Sequence, residues 1–260
     1  LHPGTQLTAS TMLGCWAVQY PDPRTALSLL IPTGKQQGYL RSLLKSCIRY
    51  YPAGTFEEAL LLVQDEDLQS MQQFMKHWPH ADKLPLRLVP TGSGAYNHAR
   101  SINLGLHAAH TELVVVCDDD IEWLDDQALP ALRRLFTQKS VALAAPRLVL
   151  QQDKSPLVVA GPHVVGEGAL LQNYVGERQG LAERGYLNRL QMAQDVAGVH
   201  GSCWMARRSA VLAAGALDEI STPTFQPVTD LGYRLQQSGW RLVWTPQANA
   251  LHAGGMTLNA

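Results

Sequence analysis

VVVCDDDIEW, residues 114–123, carries an apolar strand directly into three carboxylates, Asp118, Asp119 and Asp120. Like charges packed this closely raise the cost of ionising one another. Such a cluster at the tip of a buried strand calls for a cation, or for a role that outweighs the repulsion. An Asp-x-Asp at a strand end offers hard oxygen ligands to Mg²⁺ or Mn²⁺, with positions left open for water and substrate phosphates. The competing reading is a loop whose acids cap the next helix. Asp125 and Asp126 can do that themselves, so the triplet reads as metal binding.

Working outward, further apolar runs alternate with helical stretches. ALSLLIP (26–32), EALLLVQ (58–64), LRLVP (86–90) and ELVVVC (112–117) read as strands. Helical patterns follow the first strand, at about 37–51, and the second, at about 67–77. TGSGAYNHARSINLGLHAAH (91–110) turns into a third helix. Its Ala99, Ile102, Leu106 and Ala109 share one face, and Arg100, Asn103 and His107 another. Strands that are apolar throughout and alternate with helices indicate a parallel sheet covered on both faces. Ligands of such sheets bind beyond the carboxyl ends of the strands. Asp65, Gly92, Gly94 and the Asp triplet all fall there.

After about residue 140 the pattern loosens. VALAAPRLVL and PLVVAG read as short strands, and GVHGSCWMARRSAVLAAG as a strand running into a helix. TDLGYRLQQSG reads as a helix stopped by Gly239, and WRLVWTP as a last strand. This mixed half suits a platform for a second substrate. Residues 1–26 lack periodicity and read as an irregular lead-in. The expected division is thus a lead-in, 1–26, and one domain, 27–260, with halves at about 27–140 and 141–260.

Composition narrows the functional classes. The chain has 260 residues, 46% of them apolar, and a formal net charge of -1. No basic surface for nucleic acid is implied. The four cysteines, Cys15, Cys47, Cys117 and Cys203, lack paired spacing and fit free thiols in a reducing compartment. His200 and Cys203 have no second ligand pair, which argues against a zinc site. No apolar run reaches membrane-spanning length. The expected location is cytoplasmic, with the inner face of the membrane as a variant. A first residue other than Met marks the chain as a candidate piece of a longer protein. IPTGK is no phosphate-cradling loop, since the upstream glycine is absent and Gln36 follows Lys35. Asp65, Glu66 and Asp67 suit a solvated helix start as well as a ligand role.

Taken in order, LSLLIPTGK, ALLLVQDED, NHARSINLGLHAAHTELVVVCDDDIEW, GVHGSCWMARRSAVLAAGALDE and TDLGYRLQQSGWRLVWTPQANALH resemble glycosyltransferase family 2. The resemblance covers about Leu27 to Gly255 and is most specific from Asn97 to Asp120. It implies the GT-A fold, an α/β architecture. A mostly parallel nucleotide-binding sheet with helices on both faces is fused to a mixed acceptor-binding half. It implies nucleotide contacts at Pro32, Thr33, Asp65 (toward uracil or another base), Arg100, Asn103, Asp118 and Asp119. It also implies Mn²⁺ or Mg²⁺ on Asp118 and Asp120, with His252 completing the site or touching the diphosphate. An ordinary loop histidine is the other reading of His252.

One part of the family pattern is broken. Inverting members carry the acceptor's base in E-D-x-[DE]-L-x-x-R, and PVTDLGYR (227–234) puts Pro227 and Val228 where the Glu-Asp pair stands. Asp230 is the acid that remains, and we assign it as base after a shift in register. It also sits four residues before Arg234, the spacing of a surface ion pair. Asp218 or Glu219, an already ionised acceptor, or a domain that binds without transfer are the alternatives.

The resulting expectation is a metal-dependent glycosyltransferase that moves a sugar from a nucleotide-diphosphate donor, UDP-linked, to a glycan or lipid-linked acceptor with inversion. The rivals are a non-catalytic sugar-nucleotide- or glycan-binding module of a larger synthase, and a nucleotidyltransferase.

Overall fold

The computed structural model describes residues 6–10, 15–19, 25–35, 37–152, 155–160, 163–165, 172–174, 179–224 and 226–253. Its elements in chain order begin with β1 (Gln6–Ser10), β2 (Cys15–Gln19), β3 (Leu27–Pro32), α1 (Gln37–Tyr50), β4 (Phe56–Val63), α2 (Leu68–Lys76) and β5 (Leu86–Pro90). Next come α3 (His98–Ala108), β6 (Leu113–Cys117), β7 (Ile121–Trp123), α4 (Ala128–Leu135), β8 (Val141–Gln152), β9 (Ser155–Ala160), β10 (His163–Val165) and β11 (Gln172–Tyr174). The last are β12 (Gln194–Asp195), β13 (Cys203–Arg207), α5 (Arg208–Ala213), α6 (Pro227–Gln237) and β14 (Arg241–His252).

Ten of the described strands form one sheet, with the path β12-β14-β8-β13-β6-β3-β4-β5 and with β7 on β14 and β9 on β8. β3, β4, β5 and β6 are mutually parallel, whereas β13 runs antiparallel to both β6 and β8. The α/β sheet with a parallel first half and a mixed second half is the architecture expected.

The continuous apolar runs arise because each strand feeds two cores. Leu29, Ile31, Leu61, Val63, Val115 and Cys117 face one side, where Leu40, Leu43 and Leu44 of α1 and Met71 and Phe74 of α2 cover them. Leu30, Leu60, Leu62, Val114 and Val116 face the other side, under Ala99, Ile102 and Leu106 of α3 and Leu231 and Leu235 of α6. Side chains alternate across a strand, so only an all-apolar run can satisfy both layers. Helix α3 sits so low that a Cβ on Gly105 would come within 2.9 Å of Leu30 Cδ2.

The amino end of the sheet is locked by a fully partnered carboxylate. Buried Glu58 accepts from Ser28 Oγ at 2.8 Å, from the His110 N–H at 2.9 Å and from Arg87 Nη2 at 2.7 Å. Burial pushes Glu58 up, but these donors outweigh it and leave the carboxyl below its ordinary range.

Three expectations change. Described residues 6–10 and 15–19, expected to be irregular, pair as an antiparallel ribbon. The last strand does not stop at Pro246 but continues to His252 through a register shift between Thr245 and Asn249. A proline lacks the ladder N–H, and an irregularity of this kind is where a strand tolerates one. Asn103, placed by periodicity on the helix face of Arg100 and His107 and not on the apolar one, is buried. Among the described residues no helix is long and apolar enough to cross a membrane.

Candidate active site

Strand β3 lies between β4 and β6, and the chain winds outward through β4 and β5 before returning to β6 on the other side. The crevice at the carboxyl ends of β3 and β6 is therefore the topological switch point, the usual ligand position in such sheets. Across it, Thr33 Oγ1 donates to Asp119 Oδ2 at 2.8 Å. Thr33 follows Pro32, the buried last residue of β3.

The Asp triplet is clamped from two sides. The Asp118 N–H donates to the Ser202 carbonyl at 2.8 Å, and the Ala253 N–H to the Asp120 carbonyl at 3.1 Å. The pairing of Ile121 with His252 brings the end of β14 beside the triplet. His252 Nε2 lies 3.5 Å from Asp120 Oδ2. One donor atom from each of Asp118, Asp120 and His252 lies within 4.8 Å of the others.

These residues fit a divalent cation. Both Asp120 oxygens and His252 Nδ1 are buried without a hydrogen-bond partner, while Asp120 and His252 are each 6% exposed. A buried carboxylate left this way is costly, and Glu58 shows that the same chain partners one fully where the role is structural. Two carboxylate oxygens and one imidazole nitrogen suit Mn²⁺ or Mg²⁺.

The electrostatics agree. Burial, reinforced by the Asp120 charge, pushes Asp118 up to about 7 despite a hydrogen bond with Ser202 and the nearby His252. Burial and its two neighbours push Asp119 up to about 6, with Thr33 pulling the other way. His98, the first residue of α3, stands with Nε2 3.9 Å from Asp118 Oδ1. That proximity favours a charged ring, but burial wins and pushes His98 down to about 4. A desolvated imidazole beside a half-protonated carboxyl gains too little to hold its proton. Nothing in the residue spacing singled out His98; only the docking of α3 on β3, β4 and β5 brings it to Asp118.

On the other wall, the Asp65 N–H donates to the Gly92 carbonyl at 3.1 Å. Gly92 has φ +88°, and a Cβ there would lie 2.1 Å from Arg100 Nη2. The Arg100 guanidinium thus rests on the face of Gly92, and Asp65 and Arg100 belong to one corner. Both are exposed, available to a ligand.

Asn103 does not join them. Its Nδ2 donates to the Leu217 carbonyl at 2.9 Å and to Glu219 Oε1 at 2.8 Å, and its Oδ1 accepts from the Leu217 N–H at 3.0 Å. The amide is thus spent on the loop before α6. Asp230 also stands apart. Arg234 Nε and Nη2 bind its Oδ2 at 2.9 and 2.6 Å, and Arg234 in turn donates to the Ala214 and Ala216 carbonyls. Asp230 lines a second cavity with Asn103, His107 and Glu219. Val228, which the sequence resemblance aligned with the family's base, is 1% exposed. Its Cγ2 would lie 3.8 Å from a Cβ on Gly201, beside His200, whose ring is 5.4 Å from that of His252. Cys203 faces Cys117 at 3.6 Å between Sγ atoms in the core, away from any ligand role with His200.

The model of glycosyl transferase family 2 matches residues 28–213. The chain belongs to that family. Asp230 and His252 lie beyond the matched span. Among the structures this family member is similar to is GalNAc-T7 with UDP, GalNAc and Mn²⁺. The TM-score is 0.70 at 13% identity, over 94% of this chain and 46% of that one. Another is the mannosyltransferase PcManGT from Pyrobaculum calidifontis with GDP-Man and Mn²⁺. There the TM-score is 0.61 at 15% identity, over 91% of this chain and 59% of that one. At these identities the likeness establishes the fold, GT-A. In sequence the chain is 24% identical over 230 residues to the uncharacterized protein y4gI of Sinorhizobium fredii (strain NBRC 101917 / NGR234), covering 87% of this chain. It spans about a quarter, 24%, of that relative's length.

Proposed function

We propose that this glycosyltransferase moves a sugar from a nucleoside-diphosphate donor, with UDP as the nucleotide, to a glycan or lipid-linked acceptor with inversion. The observation that carries this reading is the Asp118–Asp120–His252 group, with its buried, unpartnered carboxylate at the switch point of the sheet. A bound Mn²⁺ or Mg²⁺ supplies positive charge against the charge that develops on the leaving diphosphate. Asp120 and His252 are the deep anchors, and Asp118, whose side chain is 27% exposed, turns toward the donor. Asp119, held by Thr33, borders the nucleotide with Pro32. Arg100 offers its cation to the nucleotide, and Asp65 accepts from the imide N–H of uracil. The departing sugar passes through an oxocarbenium-like state. The Asp230–Arg234 pair supports a structural role for Asp230 over that of base. An acceptor that arrives already ionised needs no base and suits the apolar Val228 at that position.

A non-catalytic donor-binding module is the second reading, favoured by Val228 alone. One experiment separates them. Thermal shift with UDP-, GDP- and dTDP-sugars, with and without Mn²⁺, is expected to show Mn²⁺-dependent stabilisation by UDP-sugars, and release of UDP marks transfer or hydrolysis. Stabilisation without release under any acceptor leaves the binding module. No Mn²⁺-dependent response to any donor overturns both.

A further inference from the structure

We propose that Tyr96, His98 and Asp118 form a hydroxyl–imidazole–carboxylate chain in which His98 is a positioning residue that sets the orientation of Asp118. The inference rests on the reading of Asp118 as a metal ligand. Its geometry is specific. The Tyr96 hydroxyl lies 3.0 Å from His98 Nδ1, and His98 Nε2 faces Asp118 Oδ1 at 3.9 Å. A carboxylate only accepts, so the nitrogen facing it carries the hydrogen. In a neutral ring the other nitrogen is then an acceptor, and the Tyr96 hydroxyl is the donor that fixes this tautomer. Tyr96 is 43% exposed as a residue, but desolvation of its hydroxyl against the site, with the charges of Asp118 and Asp119, keeps the phenol protonated.

His98 itself is held in place. It opens α3, whose start is fixed by Asn97 Oδ1 accepting from the Arg100 N–H at 2.8 Å and by the Ala99 N–H donating to the Pro223 carbonyl at 2.9 Å. Ser202 holds Asp118 at its backbone N–H and also hydrogen-bonds its carboxylate, so the remaining freedom is a small rotation of the carboxylate about that contact. A rotation that shortens the 3.9 Å separation to about 3 Å makes the hydrogen bond. Donors of this kind orient a ligand and raise its basicity, and their loss typically weakens metal binding about 10–100-fold.

The test is Mn²⁺ affinity by electron paramagnetic resonance, without donor or turnover. His98→Leu is expected to weaken Mn²⁺ at least about 10-fold. His98→Gln, whose amide nitrogen reaches the place of Nε2, is expected to stay near the parent. Tyr96→Phe is expected to weaken Mn²⁺ severalfold in the parent and to change nothing further in the His98→Leu background. An unchanged His98→Leu, a His98→Gln as weak as His98→Leu, or equal losses from Tyr96→Phe in both backgrounds overturns the chain. If His98→Leu fails to fold, Tyr96→Phe alone decides, and parent-like affinity overturns it. A parent that binds no Mn²⁺ sinks the metal reading itself, whereas a parent that binds while His98→Leu binds equally sinks only this inference.

Discussion

His252 Nε2 stands 3.5 Å from Asp120 Oδ2, and among the described residues no hydrogen-bond donor satisfies either Asp120 oxygen. The pair is buried, so its incomplete partnering is a stability cost held for another purpose. Asp120→Asn therefore removes an unpaired buried charge, whose burden is about 1–3 kcal/mol. The metal-free variant is expected to be at least as stable as the parent in urea, and to lose the Mn²⁺-dependent gain. A variant that unfolds more easily without metal shows that the Asp120 charge is structural.

The raised carboxyls give a pH dependence with a defined sign. Asp118 and Asp119 hold their protons in the fold up to about 7 and about 6, above the ordinary value of 3.8. These two carboxyls bind more protons in the folded state than in the unfolded state from about pH 4 to pH 7, while His98, pushed down from 6.5 to about 4, binds fewer. Two gains against one loss make metal-free stability fall as pH rises, most clearly from about pH 4 to pH 6. Mn²⁺ competes with those protons, so its stabilising effect grows over the same range. Urea unfolding at pH 5 and pH 8, with chelator and with Mn²⁺, checks both slopes. Asp118→Asn is expected to flatten them.

Gly92→Ala tests the Arg100 corner. A Cβ there meets Arg100 Nη2 at 2.1 Å, and φ is +88°. The backbone strain is worth about 1–2 kcal/mol, and the guanidinium has to leave. UDP affinity measured by calorimetry is expected to fall to that of Arg100→Ala. Parent-like affinity in Gly92→Ala removes Arg100 from the nucleotide contacts.

Asp230→Asn breaks the charge pair with Arg234, a half-buried i,i+4 contact worth about 0.3–1 kcal/mol. A small loss in thermal stability is expected, with UDP release and donor binding within a few-fold of the parent. A fall of about 10²–10⁴-fold in release at unchanged donor affinity restores Asp230 as the base.

Asp65→Ala removes the acceptor proposed for the uracil imide. A hydrogen bond to a charged group contributes about 1.5–3 kcal/mol, so UDP is expected to bind roughly ten-fold or more weakly. Equal UDP affinity in calorimetry leaves Asp65 as a helix-start acid whose N–H alone matters, through Gly92.

Local pattern determined much of this protein. The apolar runs 29–32 of β3, 59–63 of β4 and Leu113–Cys117 of β6 are legible because each strand must fill a core on both faces, and LRLVP matches β5 residue for residue. The triplet at the end of β6 is legible because charge has no place inside that run. Asp125 is legible as a cap, and its Oδ1 accepts from the Gln127 and Ala128 N–H groups. Tertiary structure decided the rest. Asn103 reads as a surface residue until Leu217, 114 positions later, closes on it. His98 reads as an unremarkable helix start until α3 docks beside Asp118. Pro246 reads as the end of a strand until β8 and β7 carry β14 on to His252. Periodicity reports which face a residue turns inward, because that depends on its near neighbours. Which distant loop or strand end it meets there is set by register and packing between elements, which no short stretch of chain encodes.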